Sequence, residues 1–156
     1  MKRRYQILEA VPRHARELAP IMRAADIEEV RDHGREPLDA LMYSLENSRE
    51  AFTGMADGRV VCMFGVGSAS IVSRNGCPWL LGARELAAHA PAFLRLNKQY
   101  MEHLRRDYDL LWNFVSARNV VAIRWLIWLG FTVSGERADI PGALDWRRFE
   151  LDNRHV

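Results

Sequence analysis

Asp26, Glu28 and Glu29 place three carboxylates within four residues, a density that proton-transfer chemistry can use. On a helix Asp26 and Glu29 share a face while Glu28 points elsewhere, so the expectation is a solvated acidic turn. Ser68, Ser70 and Ser73 lack the strand–turn–helix setting of a nucleophile elbow. Cys62 and Cys77 stand in apolar segments without metal-ligand spacing, which reads as buried free thiols and no metal site. His89 and His103 each stand alone beside helical sequence, the ordinary setting of a hydrogen-bonded structural histidine. The tail "DWRRFELDNR" sets arginines beside aromatics. Arg147 and Arg148 in an alternating strand read more simply as charges guarding a sheet edge than as a nucleic-acid contact.

The elements that must position these groups alternate between strand and helix. "YQILEAV" (5–11) reads as a strand ended by Pro12, and a helical stretch follows to Gly34, broken or kinked at Pro20. Residues 36–48 form a helix with Pro37 in its first turn and Leu38, Leu41, Met42 and Leu45 on one face. Strands 50–56 and 59–70 meet across Asp57-Gly58, a hairpin signal. A third strand, 76–83, leads into a short helical piece, 84–90, and Pro91 opens a longer helix to about residue 107. "LLWNFVSA" (110–117) is apolar enough for burial on both faces. Two closing strands, "FTVSGERADI" and "LDWRRFELD", are joined through Pro141-Gly142. The order predicts one α/β (α+β) domain over residues 1–156, with a mostly antiparallel sheet.

Between "LLWNFVSA" and the closing strands lies "NVVAIRWLIWLGF" (119–131), a helix with Asn119 as cap, Gly130 as stop and Arg124 as its one charge. It is too short for a membrane span, and no run reaches the roughly 18 apolar residues a span needs. The simplest reading is a buried core helix. The sharper one gives Trp125 or Trp128 to an exposed apolar patch for a partner protein. Of 156 residues 49% are hydrophobic and 27% charged, a globular composition, and a net charge of +2 is too small to point to nucleic acid as a partner. The basic start lacks the apolar run of a signal peptide, so a reducing cytoplasm is the expected compartment.

The element order and the last helix resemble the GCN5-related N-acetyltransferase (GNAT) fold. Its final motif block has an asparagine, an alanine three positions on, and Gly-Phe at eleven and twelve; Asn119, Ala122, Gly130 and Phe131 match without a gap. A narrower resemblance covers "RAADIEEV", "EPLDALMYSLENS", "VVCMFGV", "PWLL" and "YDLLWNFVSARNVVAIRWLIWLGF". These are similar to phage-encoded proteins related to an internal virion protein of short-tailed phages. That resemblance implies a place in the host cytoplasm or the virion, other phage structural or assembly proteins as partners, and room for a homo-oligomer.

An active member of the fold carries a Gln/Arg-x-x-Gly-x-Gly/Ala loop whose bare amides approach the diphosphate of acetyl-CoA. Aligned on Arg84, this chain has Ala87 and His89 at the small positions, with Pro91 close behind. The family's acid is a tyrosine seven residues after the motif asparagine; Leu126 stands there. The fourth strand holds no carboxylate, which leaves Glu85 just beyond it as the candidate base. The resemblance therefore implies two alternatives. One is a degenerate acetyltransferase fold, without cofactor, acting through protein contacts in virion structure or assembly. The other is an acetyl-CoA-dependent N-acyltransferase with a rearranged site. That site would use Glu85 and Asn119 in catalysis, with Leu81, Gly82, Ala83, Arg84, Asn119 and Ala122 around the coenzyme.

Overall fold

A computed structural model describes residues 2–68 and 72–154. Strand β1 (Tyr5–Glu9) runs into helix α1 (Pro12–Leu18), whose first position is filled by Pro12, where a missing N–H costs nothing. Pro20 ends that helix in a single 3₁₀ turn, Ala19–Ile21, and helix α2 (Ala24–Asp32) starts afresh. Gly34, at φ 80°, closes α2 in the left-handed conformation that glycine adopts without strain. Helix α3 (Pro37–Glu46) follows.

Strands β2 (Ser48–Ala56) and β3 (Arg59–Ser68) form the expected hairpin. Asp57 and Gly58 both have positive φ, 50° and 79°, as a two-residue turn matched to strand twist demands. The expected end of β3 at residue 70 lies outside the described residues. Strand β4 (Asn75–Gly82) is succeeded by helices α4 (Leu86–Leu96) and α5 (Lys98–Asp107), strand β5 (Leu110–Ser116) and helix α6 (Val120–Trp128). Strands β6 (Thr132–Val133) and β7 (Trp146–Asp152) close the chain. One sheet has the order β1-β2-β3-β4-β5-β7-β6, antiparallel except where β4 meets β5. Helices α1 to α3 cover one face through Leu18, Leu41, Met63 and Leu81; α4 to α6 cover the other through Phe93, Leu104 and Leu111.

Four expectations change. Pro91 does not begin a helix; α4 runs through it and the break falls at Asn97. Both Pro91 and Ala87, whose carbonyl loses its donor, are exposed, so water can serve that turn. The strand expected from residue 131 shrinks to Thr132–Val133 because the polar run that follows offers nothing to bury. Arg147 and Arg148 do not guard an outer edge: β7 lies between β5 and β6, Arg147 pairs with Asp145 at 2.8 Å, and the Arg148 guanidinium lies 4.6 Å from the Trp112 ring centre.

The fourth concerns α6, which has no fully buried residue. Ala122, Ile123, Leu126 and Leu129 pack on the sheet, whereas Ile127 is 58% and Trp128 61% exposed. A single helix at the end of a layer has nothing to cover its outer side. Asn119 caps it, accepting the Ala122 N–H at 3.4 Å, and Gly130 at φ 101° ends it, as the sequence predicts.

Candidate functional site

Strands β4 and β5 run parallel and pair only at their starts, Asn75 with Leu110 and Gly76 with Leu111. Beyond that they part. Pro78 supplies a cause: it has no N–H to offer a neighbour, and its carbonyl is met instead by the Asn113 side-chain amide at 3.0 Å. Ala83 donates to Val61 on β3, so alternate residues Pro78, Leu80 and Gly82 turn their peptide groups toward the gap. Leu80 lies beyond the two β4–β5 pairs, with its peptide groups facing the gap. A cleft of about 430 Å³ opens at this splay and is lined from both faces of the sheet.

The far end of the splay is clasped by a polar network. Asp26, 2% exposed, accepts the Gly82 N–H at 2.8 Å and pairs with Arg23 at 2.9 Å. Arg23 also donates to Asn119 Oδ1 at 2.9 Å, and its guanidinium lies 5.5 Å from the Trp125 ring centre. Asn119 Nδ2 and the Ser116 N–H both donate to Glu29 Oε1 at 3.0 Å. Helix α2 is thereby tied to the end of β4, the end of β5 and the start of α6. Burial pushes the Asp26 carboxyl up to about 7, against the Arg23 charge and the Gly82 N–H. Burial also raises Glu29, against its bonds from Ser116 and Asn119 and the Arg23 charge. These carboxylates, expected to be a solvated turn, line the cleft; only Glu28 faces out, to Arg118 at 2.8 Å.

The chain after β4 is closely engaged. Besides Gly82 and Ala83, Arg84 donates its N–H to Ile21 at 3.0 Å, Leu86 to Ala83 at 2.9 Å and Ala88 to Glu85 at 3.1 Å. Leu86 folds against Gly82, filling the space a β-carbon there would need. The segment is a helix start packed on its own strand, not an open loop of amides.

The sequence-predicted residues divide accordingly. Leu81, Asn119 and Ala122 line the cleft, and Gly82 meets it through its bond to Asp26. The Ala83 and Arg84 amides are spent inside the fold. Glu85 is not among the cleft-lining residues; it pairs with Arg59 at 3.2 Å and His89 at 3.5 Å. His89 is buried and bonded to the Tyr5 hydroxyl, and His103 is held by Glu50 and Asp107. Cys62 is buried with its thiol pushed up to about 12, whereas Cys77 is only half-buried. Ser70 lies outside the described residues. Leu126 does line the cleft, without a proton to give, and Trp125 beside it packs toward the cluster of Phe64, Leu86 and Phe93. Among the described residues no group of His, Cys, Asp or Glu is arranged to hold a metal, and no helix is long and apolar enough to cross a membrane.

Neither a described protein family nor any curated protein sequence matches this chain. Solved structures do. It is similar to the ribosomal-protein-S18-alanine N-acetyltransferase of Escherichia coli, with a TM-score of 0.70 and 15% identity over 98% of this chain and 96% of that one. A putative acetyltransferase from Acinetobacter baylyi gives 0.72 and 16% over 97% and 94%. Spermidine N-acetyltransferase from Vibrio cholerae, solved with CoA and spermine, gives 0.69 and 12% over 96% and 95%. The fold is that of the GNAT acetyltransferases. The resemblance to phage virion proteins finds no counterpart among these matches.

Proposed function

We propose that this protein is an acyl-thioester-dependent N-acyltransferase that holds its donor by the pantetheine arm. The β4–β5 splay carries the reading: it leaves the Leu80 peptide outside the β4–β5 pairing, at the edge of a cleft that also holds Glu29. An extended arm bearing amides can pair with that peptide much as an added strand would. Trp125 and Leu126 supply an apolar wall. The neighbours solved with acetyl-CoA or with CoA support a donor of this class.

Acetyl-CoA fits the chain in one part and not in another. The splay suits its arm; where its diphosphate would be cradled, the Arg84, Leu86 and Ala88 amides are bonded within the fold and side chains stand at the positions of the motif's glycines. A bound thioester would supply an activated acyl carbon, and Asn119 and the clasp would hold α2 and α6 around it. Two results are expected from thermal melting. Acetyl-CoA at a hundred times its dissociation constant stabilises the protein by about 2.7 kcal/mol, a rise of several degrees. S-acetylpantetheine binds within about tenfold of acetyl-CoA, a difference of about 1.4 kcal/mol. No shift with either compound at millimolar concentration contradicts the proposal.

A second reading, a scaffold without cofactor that works through protein contacts, draws on the exposed apolar side of α6. Under it neither thioester raises the melting point.

A further inference from the structure

We infer that Glu29 is the general base of this site and that the acceptor is a primary aliphatic amine entering from the side of α2 and α3; this rests on the transfer reading above. Both protein hydrogen bonds to Glu29 fall on Oε1, from the Ser116 N–H and Asn119 Nδ2. None among the described residues engages Oε2. A carboxylate fixed through one oxygen and open at the other, on the wall of a cleft, is oriented to take a proton from whatever occupies that cleft.

The charges around it leave Glu29 as the available acceptor. On its own helix, Asp26 is bound to Arg23 and Gly82, Glu28 turns out to Arg118, and His33 stacks on Trp146 with ring centres 4.4 Å apart. Asn119 contributes an amide at the α6 start, and β5 contributes the neutral Asn113, Phe114 and Val115. From the α2–α3 side Arg35 is paired with Asp39 and lies over Tyr43. An ammonium group thus meets one free carboxylate oxygen in a cleft whose wall includes Trp79. Burial raises Glu29 above an ordinary glutamate, which makes its carboxylate the stronger proton acceptor.

The step balances. The ammonium gives one proton to Glu29. Its nitrogen bonds the acyl carbon as the carbon–sulfur bond breaks, and the electron pair leaves on sulfur. The second nitrogen proton goes to that sulfur, giving amide and thiol, and Glu29 returns its proton to water. Asn119 touches no reacting atom here; it positions Glu29.

Glu29→Gln keeps an oxygen for Ser116 and tests the assignment by three readouts. The acetyl-CoA melting shift should stay unchanged. Thiol release with an alkylamine should fall by roughly 10²- to 10⁴-fold and lose the acidic limb of its pH profile. An acceptor already neutral at pH 7, such as methoxyamine, should recover most of the loss, because no proton need be removed first. Carboxyl carbon resonances of the free protein should show Glu29 titrating above ordinary glutamate. A variant rate within about threefold of the wild type, an equal defect with alkylamine and methoxyamine, or an ordinary titration overturns the assignment. A wild type that shows neither melting shift nor thiol release defeats the transfer reading instead, and this inference with it.

Discussion

Asp26 is the residue through which the clasp responds to pH. Its folded pKa, about 7, stands above the 3.8 of a free aspartate. A raised value means that its contribution to stability is present below pH 4 and is lost as pH climbs through 7. Asp26→Asn removes that loss, so the variant's melting point should gain on the wild type steadily between pH 4 and 7. A difference that stays constant with pH would show that Asp26 titrates normally. Gly142 makes a second test at this scale. It sits at φ 132° against Asp32, which accepts the Ala143 N–H at 2.7 Å and the Trp146 indole N–H at 2.7 Å. Gly142→Ala must strain the backbone and displace that carboxylate, for a cost of about 2 kcal/mol in denaturant unfolding. A loss below 0.5 kcal/mol, the ordinary surface range, would mean that the loop adapts.

Elements meet through a few charged contacts as well as through the core. His103 on α5 reaches Glu50 on β2 at 2.9 Å, and the bond to that carboxylate raises its pKa, with Asp107 adding to the effect. The sign is that of a stabilising protonation: present below pH 6.5 and lost as pH rises through the raised value. His103→Gln should therefore lower the melting point at pH 6 and matter least at pH 9; an equal loss at both would assign the contact to packing alone. Helix α6 poses the opposite case. Its outer residues Ile127 and Trp128 touch solvent more than protein, so Trp128→Gln should change unfolding free energy by less than about 0.5 kcal/mol. A loss near 3 kcal/mol would place the indole in the core after all.

At the scale of the whole molecule, the order of elements and the mostly antiparallel sheet flanked by helices were legible because hydrophobic period and turn chemistry agree: Pro12, Pro37, Asp57-Gly58, Asn119 and Gly130 each mark the boundary their conformations require. The site was less so. Asn119, Ala122 and Leu81 could be placed from motif spacing, but Glu29 and Asp26 resemble any solvated helical turn until α2 is known to cross the splay. Pro78 was the overlooked signal, since a proline within a central strand removes the bond that would join it to its neighbour. The exposure of α6 could not be read from its composition, because an apolar helix looks alike whether one side or both are covered.

The account stands on the Leu80 peptide, which faces the gap between the diverging strands. Amide NMR during titration with S-acetylpantetheine and with acetyl-CoA tests it most directly. Saturable shifts of the Leu80 N–H, accompanied by Asn119 and the Trp125 indole and alike for both compounds, are the predicted result. Resonances at Leu80 that stay still while the coenzyme perturbs the start of α4, or that never move at millimolar thioester, would contradict it.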